Sequence, residues 1–99
     1  MHVISEKKLR EFWDVHGDAE QPLRAWLKRT EGSAWSNFAE LRADYPHADS
    51  YGRCIIFNVG GNKYRLITAI HFNRQKVYIR FVLTHKEYDL AQWKGDCEC

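Results

Sequence analysis

The chain has 99 residues, 44% of them hydrophobic and 14% aromatic, with a formal net charge of +2. That is enough to bury one core and excludes a disordered chain. The weak positive charge permits nucleic-acid binding without demanding it, so the placement of charge carries the functional reading. No apolar run reaches the roughly 18–20 residues a membrane span requires, and Met1–Trp13 has no signal-peptide pattern, so a cytoplasmic protein is expected. Three cysteines, an odd number, suit a reducing compartment better than a disulfide scaffold.

In chain order, Met1–Ser5 reads as a short strand if a partner exists. Ser5 is a good N-cap for a helix over Glu6–His16, where Leu9, Phe12, Trp13 and His16 recur at helical spacing and Gly17 follows as a stop. Pro22 suits the first turn of a second helix, with Leu23, Trp26 and Leu27 as its apolar stripe. Trp35, Phe38 and Leu41 mark a third helix, capped by Ser33 or Ser36 and ended by Tyr45-Pro46. His47–Gly52 reads as a loop. Trp13, Trp26 and Trp35 are expected in the core, and Trp93 over a sheet edge or a partner surface.

From Arg53 the period changes to two. Arg53–Val59 is a strand, Gly60-Gly61-Asn62 a turn, Tyr64–Asn73 a second strand, Asn73–Lys76 another turn and Val77–Thr84 a third strand. Thr84-x-x-Glu87 is a capping box, which predicts a helix from there to about Trp93 and a frayed tail over Lys94–Cys99. The fold class is α+β in a single domain over residues 1–99: N-terminal helices packed on a twisted antiparallel sheet, with a short C-terminal helix.

A tight turn at Arg74-Gln75 pairs residues whose numbers sum to about 149. Ala69 then faces Arg80, His71 faces Tyr78, and Arg65 lies near Thr84. Arg65, His71, Tyr78 and Arg80 share an open basic face, while Tyr64, Leu66, Ile70, Phe72, Val77, Ile79, Phe81 and Leu83 pack on the helices. Such a face suits an RNA phosphodiester cut by its own 2′-hydroxyl. Arginine can hold the phosphate, His, Tyr or Lys can move protons, and an aromatic ring can stack on a base. No metal or cofactor is required. Blander roles compete at several positions. The arginines could be solvated, Glu87 serves the helix cap, and Gly60-Gly61 only makes a turn. Cys97-x-Cys99 on a loose tail is a weak metal site, and His2, His16 and His47 read as ordinary surface residues.

The segments NVGGNKYRLI and YIRFVLTHKEYD, with WSNFAELRADYPHADSY before them, resemble the HigB branch of the RelE-like toxins. That resemblance implies the toxin of a type II toxin–antitoxin pair, an mRNA interferase that cuts ribosome-bound message and leaves a 2′,3′-cyclic phosphate. It implies a helix-turn-helix antitoxin of the HigA kind as partner, and operator DNA only through that antitoxin. Arg65 and Arg80 match the family's phosphate-binding arginines. His85, Lys86 and Tyr88 match the segment holding acid–base or stacking groups, with the base and acid left open among them. RNA contacts are expected from Asn62, Lys63, His71, Asn73, Arg74, Lys76 and Tyr78. A non-catalytic binding module and a ribosome-independent RNase are the alternative readings.

Overall fold

The computed structural model describes residues 1–98 as an α+β fold. Five strands form one mixed sheet: β1 (His2–Ile4), β2 (Asp49–Tyr51), β3 (Cys54–Val59), β4 (Tyr64–His71) and β5 (Lys76–Thr84), in the order β1-β5-β4-β3-β2. The N-terminal segment finds its partner in β5, running parallel to it with Val3 opposite Val77. At the other edge, Asp49–Tyr51 pairs antiparallel with β3, where a loop was expected. Gly52 makes this reversal possible. It sits at φ +58, and a Cβ there would lie 2.1 Å from the Cys97 carbonyl oxygen.

Three helices close one sheet face. α1 (Glu6–Val15) buries Leu9 and Trp13, α2 (Glu20–Glu31) buries Leu23 and Trp26, and α3 (Phe38–Asp44) buries Leu41. These meet Phe57, Val59, Tyr64, Leu66, Val77 and Ile79 in the main core. Ser5 occupies the N-cap of α1 but makes no side-chain cap bond. α3 begins later than predicted, and its cap is Asn37 instead of Ser33 or Ser36. Asn37 Oδ1 accepts from the Glu40 amide at 2.9 Å, and Glu40 Oε1 accepts from the Ser36 amide at 2.7 Å. Trp35 precedes the helix and is buried, as expected of a core residue, its indole donating to Asp44 at 2.8 Å.

The β4–β5 register departs from the predicted sum of 149. Tyr64 pairs with Thr84 and Ile67 with Phe81, then Thr68 pairs with Ile79 and His71 with Lys76. Arg80 is the extra residue of a bulge between these two stretches. The bulge reverses the side-chain alternation of the second half of β5. Phe81 and Leu83 therefore leave the helix face and Val82 joins it. Neither the Ala69–Arg80 nor the His71–Tyr78 pairing forms.

The second sheet face is not open and basic. Cys54, Ile56, Ile67, Trp93 and Cys97 form a second buried cluster there, flanked by Tyr51, Phe81, Leu83 and Tyr88. Its clamp is a Cys54–Cys97 disulfide, which corrects both the expectation of unpaired cysteines and that of a frayed tail. The Arg53 amide also donates to the Cys97 carbonyl at 2.8 Å. Cys99, and with it the Cys97-x-Cys99 metal idea, lies outside the described residues. α4 (His85–Asp89) carries the predicted capping box but ends well before Trp93, because Ala91 turns to φ +61. A one-turn α5 (Lys94–Cys97) follows and delivers Cys97 to the sheet. Among the described residues, no helix is long and apolar enough to cross a membrane.

Candidate functional site

The β3–β4 turn and the start of α4 meet at one end of the sheet. Gly60 and Gly61 hold φ values of +63 and +69, which lets the chain reverse and present Asn62 and Lys63. The His85 amide donates to the Lys63 carbonyl at 2.9 Å, tying α4 to this turn. Asn62, Lys63, Thr84, His85 and Lys86 line a shallow groove of about 560 Å³, with His16 and Asp18 contributed from the helical layer.

Arg65 stands beside this groove, on the second sheet face. It is only 9% exposed. Its Nη1 donates to the carbonyls of Asn62 at 3.1 Å and Tyr64 at 3.2 Å, and its guanidinium lies 5.2 Å from the Tyr88 ring centre. Tyr88 in turn stacks on Trp93 at 5.0 Å. Burying a cation is costly unless something compensates it. Here two carbonyls and the face of an aromatic ring do so, and among the described residues no carboxylate pairs with Arg65. The guanidinium is thus fixed in place with its charge unneutralised, which suits a phosphate.

Lys63 is arranged differently. Its Nζ lies 2.8 Å from Asp18 Oδ2, and the Tyr64 hydroxyl donates to the other Asp18 oxygen. The bonds from Lys63 and then Tyr64 hold the Asp18 carboxyl below the usual carboxylate range. Asp18 in turn raises both Lys63 and Tyr64. Lys63 therefore stays charged at neutral pH and can attract a phosphate, but it is poorly suited to taking a proton. At the neighbouring position, His85 Nδ1 lies 3.0 Å from Asp89 Oδ2, one helical turn on. Asp89 can accept a proton held on Nδ1, and in that neutral tautomer Nε2 carries the lone pair.

Thus Asn62, Lys63, His85 and Lys86 come together, with Arg65 and Tyr88 adjoining them. The other sequence candidates lie apart. Arg80 is exposed at the bulge and lines a separate groove with Lys8, Phe12, His16 and Glu87. His71, Asn73, Arg74, Lys76 and Tyr78 sit at the opposite end of the β4–β5 hairpin. By strand rise this is roughly 23 Å from Tyr64. The His71 and Tyr78 rings do meet edge to face at 5.3 Å, although they are not cross-strand partners. Sequence reading missed Asp18 and Asp89. Asp89 carried a signal, since it stands four residues after His85 on the predicted helix. Asp18 carried none, being 45 residues from Lys63.

The family model described as HigB_toxin, RelE-like toxic component of a toxin–antitoxin system, matches residues 19–91. The chain belongs to this family. It is 34% identical over 92 residues to the mRNA interferase toxin HigB of Escherichia coli (strain K12), covering 90% of this chain and 88% of that protein. The mRNA interferase HigB of Shigella flexneri matches with the same identity and coverage. The matched residues contain the β3–β4 turn, Arg65, Arg80 and all of α4. A toxic component of a toxin–antitoxin system implies an antitoxin as partner.

Proposed function

We propose that the chain is an mRNA interferase that cuts translated message on the ribosome, in the cytoplasm, and that a helix-turn-helix antitoxin of the HigA kind silences it and carries it to operator DNA. Membership of the HigB toxin family and relatives named mRNA interferase support the activity. The observation in the structure that favours it most is the buried Arg65 guanidinium, without a carboxylate partner among the described residues, next to the groove that holds His85 and Lys86.

In the proposed mechanism Arg65 and Lys63 hold the scissile phosphate against the turn. His85 Nε2, its tautomer biased by Asp89, takes the proton from the 2′-hydroxyl. The 2′-oxygen bonds to phosphorus while the P–O5′ bond breaks. Lys86 gives the departing 5′-oxygen its proton, and the products are a 2′,3′-cyclic phosphate and a 5′-hydroxyl. Tyr88 supports Arg65 from below. Arg80 serves a neighbouring phosphate, because its groove meets the first one at His16. Asn62 steers the backbone at the turn. His71, Asn73, Arg74, Lys76 and Tyr78, at the far end of the hairpin, bind more distant RNA. No metal takes part in this route.

The test is 5′-end mapping of cellular message after induction without antitoxin. Wild type should create new ends within translated frames, and His85→Ala or Lys86→Ala should lose about 10²–10⁴ of the cleavage rate. Arg65→Lys, which keeps the charge, guards against simple unfolding and should still lose most activity. Wild-type cleavage by folded His85→Ala and Lys86→Ala proteins would overturn the assignment. No new ends from wild type would leave a binding module.

A further inference from the structure

We infer that the α2 side of the Gly60-Gly61 turn is a second RNA subsite, which reads the nucleotide next to the scissile one; this rests on the proposed message-cutting activity. A cleft of about 660 Å³ lies there, lined by Arg29, Tyr45, His47, Asn58 and Asn62 among others. A recess of about 190 Å³ opens beside it, sharing Arg29, Tyr45 and Asn58 and adding Trp26 and Gly60. Asn62 lines both this cleft and the groove that holds Lys63, His85 and Lys86. An RNA strand crossing the groove therefore meets the cleft as it passes the turn.

The lining has the chemistry of a nucleotide site. Trp26 is 4% exposed, and its indole N–H is buried with no acceptor among the described residues. A buried donor of this kind is costly to leave unpaired, and a phosphate or carbonyl oxygen meets it only where the recess widens enough to reach the nitrogen. Arg29 lies 4.7 Å over the Tyr45 ring, with its side chain 54% exposed. Its ion-pair partner, Asp44, is at 3.9 Å and already accepts from the Trp35 indole. The guanidinium is thus preorganised by stacking, with its outer face free for a base or a phosphate. Asn58 is exposed between the buried Phe57 and Val59, and its amide can both donate to and accept from a base edge. An apolar ligand would leave Asn58 and the Trp26 N–H unpaired and would cover the exposed part of Arg29, so single-stranded RNA is the occupant these groups favour.

Trp26→Phe removes the N–H together with one ring of the buried indole, so thermal stability should fall modestly, and binding is measured on protein confirmed as folded. Binding of a fluorescein-labelled single-stranded hexaribonucleotide, followed by anisotropy, should weaken roughly tenfold. Arg29→Gln should weaken it similarly and lower the salt slope by about one. Asn58→Ala should redistribute cleavage among sites in the 5′-end map. Wild-type hexanucleotide affinity in Trp26→Phe and Arg29→Gln would overturn the subsite. So would a uniform loss of cutting in Asn58→Ala with site preference intact. If wild type leaves no new 5′ ends, the activity itself fails, and the hexanucleotide measurement still decides the subsite.

Discussion

The two faces of the sheet are closed by different means. On the helix face, α1, α2 and α3 lay amphipathic stripes over β3, β4 and β5, and sixteen residues form one buried cluster. On the second face a few residues near the C-terminus do the work: Tyr88, Trp93 and Cys97 cover Ile56, Ile67 and Phe81. The first face depends on many interchangeable apolar contacts. The second depends on one covalent bond and a column of stacked rings, and Arg65 rests on that column. The helix face thus supplies most of the stability, and the second face holds Arg65, the arginine proposed to bind the phosphate.

Breaking the helix face should cost most. Phe57 is 1% exposed and meets Trp26 and Tyr45 edge to face. Phe57→Ala should destabilise by about 3–5 kcal/mol in urea unfolding and remove all measured functions together. Breaking the second face should cost somewhat less and act locally. A bond closing a 43-residue separation contributes typically about 2–4 kcal/mol. Cys97→Ser should lower the melting temperature by that equivalent and expose Trp93 to a fluorescence quencher. RNA cleavage should fall further than the stability change alone explains. Cleavage unchanged in folded Cys97→Ser would show that Arg65 does not need the ring column.

The same contrast explains what the sequence made legible. The first two helices, the Gly60-Gly61 turn and the Thr84–Glu87 capping box are local patterns, and each appears where the spacing put it, while α3 starts later and α4 ends earlier than predicted. The failures are non-local. Phe81, Val82 and Leu83 are all apolar, so alternation cannot say which of them faces the helices; only the bulge at Arg80 decides it. Cys54 and Cys97 are joined by the chain's path and not by any spacing signal. The edge strand Asp49–Tyr51 is too short and polar to announce itself, and exists because Gly52 turns it back on β3. The site was half legible for the same reason. The candidates on the turn and on α4 came from the family resemblance and lie together in the fold, while Asp18 needed the fold to bring it to Lys63.

A smaller effect tests how α4 is set above Arg65. Glu87 accepts from the Thr84 amide at 2.9 Å, and the Glu87 amide donates to the Thr84 hydroxyl at 3.2 Å. Glu87→Ala should cost about 1 kcal/mol in thermal unfolding. It should lower cleavage only modestly, because the His85–Lys63 backbone bond still anchors the helix start. A loss of activity as large as that of His85→Ala would give Glu87 a chemical role.

The smallest effect concerns the Asp18–Lys63–Tyr64 cluster, which ties the turn to the helical layer through an exposed ion pair and a buried tyrosine. The folded protein holds Asp18 below its ordinary value, so its contribution to stability is present above about pH 4 and is lost as pH falls through the depressed value. Lys63 and Tyr64 are raised, so their contributions are present below about pH 10 and are lost as pH rises through the raised values. The melting-temperature gap between wild type and Asp18→Asn should therefore be flat from about pH 5 to 9 and close at both ends. High salt should narrow it, because the pair is solvent-exposed. A gap that persists unchanged to pH 2 would mean that Asp18 holds the turn by packing and not by charge. Lys63 would then be free to meet the RNA phosphate without first releasing a carboxylate.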